Sequence, residues 1–550
     1  MPSNTRKLDL DNPFEIENRV NEFDKPDTYQ NAKLAAKTIG KKPFQAKADA
    51  IIRQHKNNRM TVWERINLLS DTTPTILYKN WGPHLDGANL VTAICKVDGR
   101  EVAVYGHDFT IRAGSIDADN GTKLAKLFGM AGKLGIPVVG FNDSAGAFVP
   151  SGVGGLNGYA EAFRALRHIS GIVPSIMCMV GFNAGGGSYL PRQGSFVIQP
   201  EGSFFGLTGP SVVQNVIGET VSAENLGGPS VHCSSGVTDF VVQDENKLIA
   251  KVRKLLAYIP SNNRHIISPL KSTDPNSRET IDSEILLSQT INSETGYNTP
   301  FDIAIIVRDL LDHGDFELFQ PNRSANMLCA FGRLNGYVTG ICANNSAIES
   351  GQIDFGASLK SSRFIRFCNL YNIPMIFIED TTGFRPGTDQ EHRGIVQAGR
   401  SMLDSIIDLR VPRFLLLVRN AYGGAYASFN NLYLGADMVF ALPTARIAVM
   451  GSAGIEFVYK EELREYKRSA LSARSTHEKK IGNEKLRNKI TELELRYEKE
   501  FLNANEALSL GSITEIIEPR EIRKKLGENI VRYMKNYNPT PMSGVQREFH

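Results

Sequence analysis

The sequence predicts an α/β protein made of two tandem copies of one unit, and three observations carry that prediction. The chain has 550 residues, 41% of them hydrophobic, which is enough for two separate cores. Short β-branched runs alternate with helical stretches from Asn89 to about Pro260, and again from Phe301 to about Pro519. The second region also repeats the first in register. Asp98-Gly99 pairs with Asn335-Gly336, Gly114 with Gly351, Lys123 with Lys360, Ile136-Pro137 with Ile373-Pro374, and Asp143 and Gly146 with Asp380 and Gly383, all at an offset of 237. Farther on, Val173-Pro174 matches Val411-Pro412 and Gly185-Gly186 matches Gly423-Gly424 at 238, one residue having been inserted. A register held over about 90 residues marks a duplication rather than a scatter of glycines.

The expected boundaries follow from changes in composition. Residues 1–90 are rich in Lys, Gln, Asn and Ala and end in the helical run Met60–Leu69, so they read as an N-terminal helical segment packing on the first lobe. The first lobe is expected over 91–260, a polar, turn-rich linker over 261–300, the second lobe over 301–520, and a C-terminal helix and tail over 521–550. The charged stretch Thr476–Ala507 reads as a long solvated helix.

Composition narrows the function. Lys and Arg number 62 against 59 acids and are scattered, which gives no support for nucleic-acid binding. Apolar stretches such as Phe414–Val418 fall far short of the roughly 20 residues that span a bilayer, so no membrane insertion is expected. The first twenty residues lack an apolar signal core, and the six dispersed cysteines form no Cys-x-x-Cys pair. The expectation is a cytoplasmic protein without a structural zinc site, with the mitochondrial matrix left open should a leader have been removed.

Each repeat carries one Val-Pro that opens an apolar strand running into glycines: VPSIMCMVGFNAGGGSY in the first and VPRFLLLVRNAYGGAY in the second. Strand, glycine turn and helix together aim free backbone N–H groups at one spot. Phosphate cradling does not fit, because neither loop is followed by Lys-Ser/Thr, and Gly132-Lys133 precedes Leu134 inside a helical stretch. The run Gly152–Gly158 misses the dinucleotide fingerprint by one place. Among titratable residues, His107, His232 and His392 lie beside site-like segments, where hydrogen-bonded or surface roles compete with general-base roles. Glu219 and Glu224 read as capping or surface acids.

The runs NDSAGA, GYAEAFR, AGGGSY, LTGPSVV, GETVSAENLGGPSVH, GASLKSSRFIRFC, GFRPGTDQEHRG, RNAYGGAY and LPTARIAVMG resemble the carboxyltransferase (β) subunits of propionyl-CoA carboxylase and related biotin-dependent acyl-CoA carboxylases, from about residue 50 to 548. The resemblance implies two tandem crotonase-like (ClpP/crotonase) domains and transfer of a carboxyl group between carboxybiotin, on a separate carrier, and the α or vinylogous carbon of an acyl-CoA. It implies backbone oxyanion holes at Gly185 and Gly186 for the thioester enolate, and at Gly424 and Ala425 for the biotin urea oxygen. Such donors are worth roughly 3 kcal/mol each in comparable sites. It further implies acyl-CoA contacts from Ala113, Gly114, Ser115, Ser144, Ala145, Gly146 and Ala427, and biotin contacts from Thr382, Gly383, Phe384, Pro386 and Gly387. No metal is required of this subunit. The implied partners are a biotin carboxylase and a biotin carrier, around a homo-hexameric core.

The sequence departs from those relatives at five places. Phe148–Ser151 stands where most have Arg-Ile-Gln-Glu, and Ala427 where an Asp is common, which points to an acyl group other than propionyl. Arg385 and Arg393 replace residues that are usually uncharged. Asp380-Thr381-Thr382-Gly383 is closer to glutaconyl-CoA decarboxylase, which keeps open the reverse half-reaction within a glutaconyl- or malonyl-type decarboxylase. A crotonase-type hydratase or isomerase, with one unit and site carboxylates, fits less well, as does a non-enzymatic CoA- or nucleotide-binding module.

Overall fold

A computed structural model describes residues 48–78, 87–472 and 476–541. The chain divides into two compact units, the first ending at Ile266 and the second running from Ile267 to Asn538. Each is organised around one mixed sheet.

The first sheet has the order β1 (Thr75–Leu77), β2 (Leu90–Val97), β3 (Arg100–His107), β4 (Val138–Ser144), β5 (Ser175–Ala184), β6 (Phe196–Pro200), β8 (Phe240–Val242), with β7 (Phe204–Gly206) beside the end of β5. The second has the order β9 (Phe316–Phe319), β10 (Met327–Leu334), β11 (Tyr337–Asn344), β12 (Met375–Thr381), β13 (Arg413–Tyr422), β14 (Met438–Ala441), β16 (Glu515–Ile516), with β15 (Arg446–Ala448) beside the end of β13. In both, an antiparallel hairpin feeds a run of parallel strands. The central strands β4, β5, β12 and β13 are buried along nearly their whole length, as parallel strands covered by helices on their faces must be.

The duplication read from the sequence is present in detail. Asp98-Gly99 and Asn335-Gly336 are the two-residue turns of the hairpins β2–β3 and β10–β11, with φ of 48° and 78° in one and 51° and 80° in the other. Both residues of such a turn need positive φ, which is why Asp-Gly and Asn-Gly serve there. Asp117 and Asp354, 237 apart, each cap the helix that follows: Asn120 N donates to Asp117 Oδ1 at 2.8 Å and Ala357 N to Asp354 Oδ1 at 2.6 Å. Short parallel bridges, Ile116 to Ala147 and Ile353 to Phe384, tie the same two loops together in each unit.

Three expectations change on inspection of the structure. Within 261–300, expected as a linker, the chain folds with the second unit beyond Ile266: Ile281–Ile291 is a helix, and Ser283 donates through N and Oγ to Asp309 Oδ2 at 2.9 and 2.8 Å. Ser283, polar and buried, thus satisfies a buried partner rather than solvent. Within 1–90, β1 adds an edge strand to the described part of a segment expected to be helical, while residues 1–47 and 79–86 lie outside the described residues. The long charged helix spans Thr476–Phe501 and is not wholly solvated, since Leu493 and Tyr497 are buried in a cluster with Ile455, Tyr459 and Leu463. Of the C-terminal stretch, the helix Ile522–Asn536 buries Leu526 and Ile530, and the tail beyond residue 541 lies outside the described residues.

Helix Ala118–Leu134 crosses helix Val153–Ile169 where Gly121 faces Gly158, and a Cβ on Gly121 would strike the Gly158 backbone. Gly121→Val is therefore expected to lower the melting temperature by about 5 °C or more, whereas Gly129→Ala, on the same helix with nothing within 4 Å of an added Cβ, should leave it unchanged or raise it. Thermal unfolding of the two variants checks this.

Candidate functional site

In the first unit three loops converge at the ends of β4 and β5. The turn after β3 carries Ala113 in the left-handed region, with φ 49°, followed by Gly114 at φ 64°. A side chain on Gly114 would run into the Asp143 carbonyl oxygen, so this turn lies directly on the end of β4. Ala145 N donates to Ala113 O at 3.0 Å, Ile116 N to Gly146 O at 2.8 Å, and Phe148 N to Ile116 O at 2.8 Å. The structure thus brings together Ala113, Gly114, Ser115, Ser144, Ala145 and Gly146. Ser115 Oγ, however, is turned back onto Arg112 O at 2.7 Å.

The third loop is the glycine turn. Gly185 has φ 57°, and the helix Gly186–Arg192 begins immediately after it. The Gly185 N–H is committed, donating to Gly206 O and Leu207 O at 3.1 Å each, so it does not serve as an oxyanion donor in this geometry. Ser188 N and Tyr189 N both donate to Gly185 O, which leaves the first-turn amides of Gly186 and Gly187 without an acceptor inside the helix. The two amides at this turn without a helical acceptor are thus those of Gly186 and Gly187, one place beyond the pair Gly185 and Gly186 expected from the sequence. Tyr159 lies beneath them: a Cβ on Gly186 would sit 2.7 Å from its ring, and its hydroxyl lies 3.3 Å from Ser144 Oγ. Burial pushes the Tyr159 phenol up to about 12, so it stays protonated.

The second unit repeats this with different side chains. Gly351, at φ 67°, abuts the Asp380 carbonyl, Ile353 N donates to Gly383 O at 3.0 Å and Arg385 N to Ile353 O at 3.0 Å. Gly383 N donates to Thr381 Oγ1 at 3.2 Å, as Gly146 N does to Ser144 Oγ at 3.2 Å. Gly423, at φ 59°, opens the helix Gly423–Ser428, whose first turn holds Gly424 and Ala425. In the 238 register these two correspond to Gly186 and Gly187 of the first unit. The Phe384 ring brings the 382–387 loop to the glycine turn: a Cβ on Gly424 would lie 3.8 Å from it. Gln352 Nε2 donates to Thr382 Oγ1 at 3.3 Å, and Pro386 leads into Gly387, which stands at φ 124° before helix Thr388–Arg393. Ala427 lies on the helix with Gly424 and Ala425, exposed.

Acid–base side chains contribute little at either turn. Asp143 is fully buried and ion-paired with Arg59 and Arg65; Asp380 is buried and held by Arg419, through Nε at 3.1 Å and Nη2 at 2.9 Å. Burial, reinforced by Asp380, raises the Glu379 carboxyl far above the usual range and keeps it neutral. His232 Nε2 lies 2.7 Å from Phe205 O, and His392 is exposed on the helix Thr388–Arg393. Glu224 receives Ser230 Oγ at 3.4 Å and Glu219 is exposed. Arg385 pairs with Glu349 at 3.3 Å and Arg393 with Asp389 at 3.7 Å. Phe148 lies under the Arg112 guanidinium at 4.3 Å, and Val149 beside it is 85% exposed.

The carboxyl transferase domain model matches residues 53–545, nearly all of the described chain. The chain belongs to the carboxyl transferase domain family. It is 35% identical over 493 residues to the propionyl-CoA carboxylase carboxyltransferase subunit of Haloferax mediterranei, covering 87% of this chain and 91% of the relative. It is 34% identical to the methylmalonyl-CoA decarboxylase α subunit of Propionigenium modestum, covering 86% and 90%. Among solved structures it is similar to a transcarboxylase 12S hexamer with methylmalonyl-coenzyme A bound, at a TM-score of 0.83 and 29% identity over 95% of this chain and 98% of the other. The protein is an enzyme of the carboxyltransferase class, and among its described residues no helix is long and apolar enough to cross a membrane. Sequence reasoning passed over Tyr159, although it stands in the run GYAEAFR, and Gly187, which the repeat register could have supplied.

His107, at the end of β3 and touching the Gly114 turn, is buried; burial, opposed in part by Asp143, brings its imidazole down to about 4. The folded state therefore holds His107 neutral where the unfolded chain would be protonated. The stability this supplies is present above about pH 6.5 and is lost as pH falls toward 4. By pH 5 the loss amounts to about 2 kcal/mol. His107→Gln should lose less melting temperature than the wild type between pH 7 and pH 5, and equal losses would refute the assignment.

Proposed function

We propose that the enzyme exchanges a carboxyl group between carboxybiotin on a separate carrier protein and the α carbon of an acyl-CoA. The observation that carries this reading is the paired construction: two glycine turns in equivalent register, each with two first-turn amides lacking helical acceptors and each bordered by two interlocked loops. Gly186 and Gly187 would hold the thioester oxygen as negative charge develops on it, with Ala113–Ser115 and Ser144–Gly146 lining the acyl-CoA side, and Ala427, on the helix of Gly424 and Ala425, would bear on the choice of acyl group. Gly424 and Ala425 would hold the biotin urea oxygen, with Thr382, Gly383, Phe384, Pro386 and Gly387 around it. The residues present suit that group, since Gly424 carries no side chain and a Cβ there would already lie 3.8 Å from the Phe384 ring. When bound, biotin would supply a basic urea nitrogen at this site, in keeping with the chain's own acids there being paired or buried.

The transcarboxylase 12S hexamer and the propionyl-CoA carboxylase relatives support a homo-hexameric core served by biotin carboxylase and carrier subunits. A cytoplasmic setting belongs to the same reading and suits six free cysteines, five of them buried. The reverse direction, from a carboxylated acyl-CoA to biotin, is favoured by the methylmalonyl-CoA decarboxylase relative and by Asp380-Thr381-Thr382-Gly383.

The test is transfer between acyl-CoAs and free biocytin by the purified protein without ATP, over acetyl-, propionyl-, butyryl-, crotonyl-, branched and aromatic acyl groups and their carboxylated forms. A graded preference with its optimum away from propionyl-CoA is expected, because an apolar pocket discriminates by only roughly 1–3 kcal/mol per methylene. Ala427→Asp should then shift preference toward propionyl-CoA, and a wild-type optimum at propionyl-CoA would refute the role given to Ala427. Gly424→Pro removes one amide at a first-turn position that tolerates proline, and should lower kcat about 10²-fold or more in a folded protein. Near-normal turnover would refute the oxyanion assignment.

A further inference from the structure

The repeat register breaks at one buried position. Arg419 on β13 corresponds at an offset of 238 to Gly181 on β5. Arg419 grips Asp380 with two nitrogens, donates through Nη1 to Thr299 O at 2.6 Å, and stacks over Phe301 at 4.8 Å. The first unit keeps the carboxylate, as Asp143, but has no side chain at 181. There the Arg59 guanidinium occupies the vacated space: a Cβ built on Gly181 would overlap Arg59 Nη2 and Asp143 Oδ1. Arg59 pairs with Asp143 and lies over the Phe109 ring at 5.0 Å, as Arg419 lies over Phe301. Arg65, one helical turn into Val62–Leu69, adds a second contact to Asp143 at 3.3 Å while paired with Glu245 at 2.6 and 2.9 Å.

We infer that Arg59, from the chain before the first sheet, is the positioning residue that replaces a lost strand arginine, and that through Asp143 it sets the acyl-side loop Ser144–Gly146. Asp143 is the residue immediately before that loop, and its carbonyl is the surface on which the Gly114 turn rests. Its carboxylate is fully buried, so the guanidinium fixes the direction in which the chain leaves β4. Arg419 does the same for Thr381–Gly383 through Asp380. The two half-sites are thus held by equivalent carboxylates but by arginines from unrelated parts of the chain. A substitution at Arg59 should act on one substrate only.

For its kinetic readout the inference rests on the acyl-CoA and biotin reading above; a second readout does not. In the full-length protein, Arg59→Ala is expected to raise KM for the preferred acyl-CoA roughly tenfold or more while leaving KM for biocytin within about twofold, and Arg419→Ala should do the reverse. Gly181→Arg alone should be impaired, because its side chain meets both the Arg59 guanidinium and the Asp143 carboxylate; with Arg59 removed, the space it leaves lets that carboxylate turn toward the new guanidinium. Arg59→Ala/Gly181→Arg should recover the acyl-CoA KM and the melting temperature lost by Arg59→Ala, a loss of about 5 °C or more. A cooperatively melting double variant no better than Arg59→Ala, or an Arg59→Ala that raises both KM values equally, would overturn the inference. If the wild type transfers carboxyl to no acyl-CoA, the functional reading fails, and the melting temperatures still decide whether Gly181→Arg replaces Arg59. If Arg59→Ala does not fold, recovery of folded protein in the double variant is the same rescue, and failure of the double variant to fold overturns the proposal.

Discussion

A carboxylate with no access to water must be neutralised by protein, and both sheets of this enzyme end at such a carboxylate. Asp143 and Asp380 close β4 and β12, each fully enclosed, each with its own carbonyl pressed against a positive-φ glycine of the neighbouring turn. Leaving one of them without its guanidinium would cost about 3–5 kcal/mol, on the scale of a domain's whole stability. The ion pair is therefore less a source of net stability than a condition on geometry. Only conformations that bring an arginine to the strand end are allowed, and these also seat the two loops bordering the glycine turn. The loop hydrogen bonds, the parallel bridges and the approach of Tyr159 or Phe384 to the turn accompany that placement in the two units.

Much of this was legible in the sequence because it is written in residues whose backbone needs are narrow. Asp98-Gly99 and Asn335-Gly336, Gly114 and Gly351, and Gly185 and Gly423 all stand where φ is positive, and a duplication keeps such positions while surface residues drift. The two-unit α/β fold, the loops that meet, and the strand-to-helix turns could thus be read by register alone. Three features could not. The commitment of the Gly185 amide to Gly206 O and Leu207 O depends on β7, three residues long, returning beside β5, and no local pattern announces that pairing. The order of 267–300 comes with polar side chains meeting Asp309 and Arg520, as Ser283 and Arg278 do the first and Glu279 and Glu284 the second. The exchange of Arg419 for Arg59 is invisible in one dimension, because the replacing residue lies about 120 positions before the glycine that makes room for it.

Side chains at the two turns also explain why equivalent backbones can serve different ligands. Under the first turn lies Tyr159, whose hydroxyl meets Ser144 and whose phenol stays protonated; beside the second lies Phe384, which offers only an apolar face. One position before the paired aspartates, Asn142 hydrogen-bonds Tyr105 at 2.9 Å in the first unit, whereas Glu379 is buried and neutral in the second. The first-turn amides stand in equivalent positions in both units, so what differs between the two turns is the side chains around them.

This division of labour bears on how the two halves could diverge. Had the half-sites been built from catalytic side chains, each substitution would have altered chemistry and recognition together. Backbone donors separate the two, because an amide at the first turn of a helix is set by the chain's path and survives changes in the side chains around it. What the amides require is that the path be held, and the path is held by a buried carboxylate that accepts a guanidinium from any direction that reaches it. In the second unit the strand supplies that guanidinium at Arg419; in the first, Gly181 opens the space and the preceding chain fills it with Arg59. The constraint is on charge and position, not on which residue meets it, and that tolerance lets one duplicated unit keep its site geometry while its surroundings change.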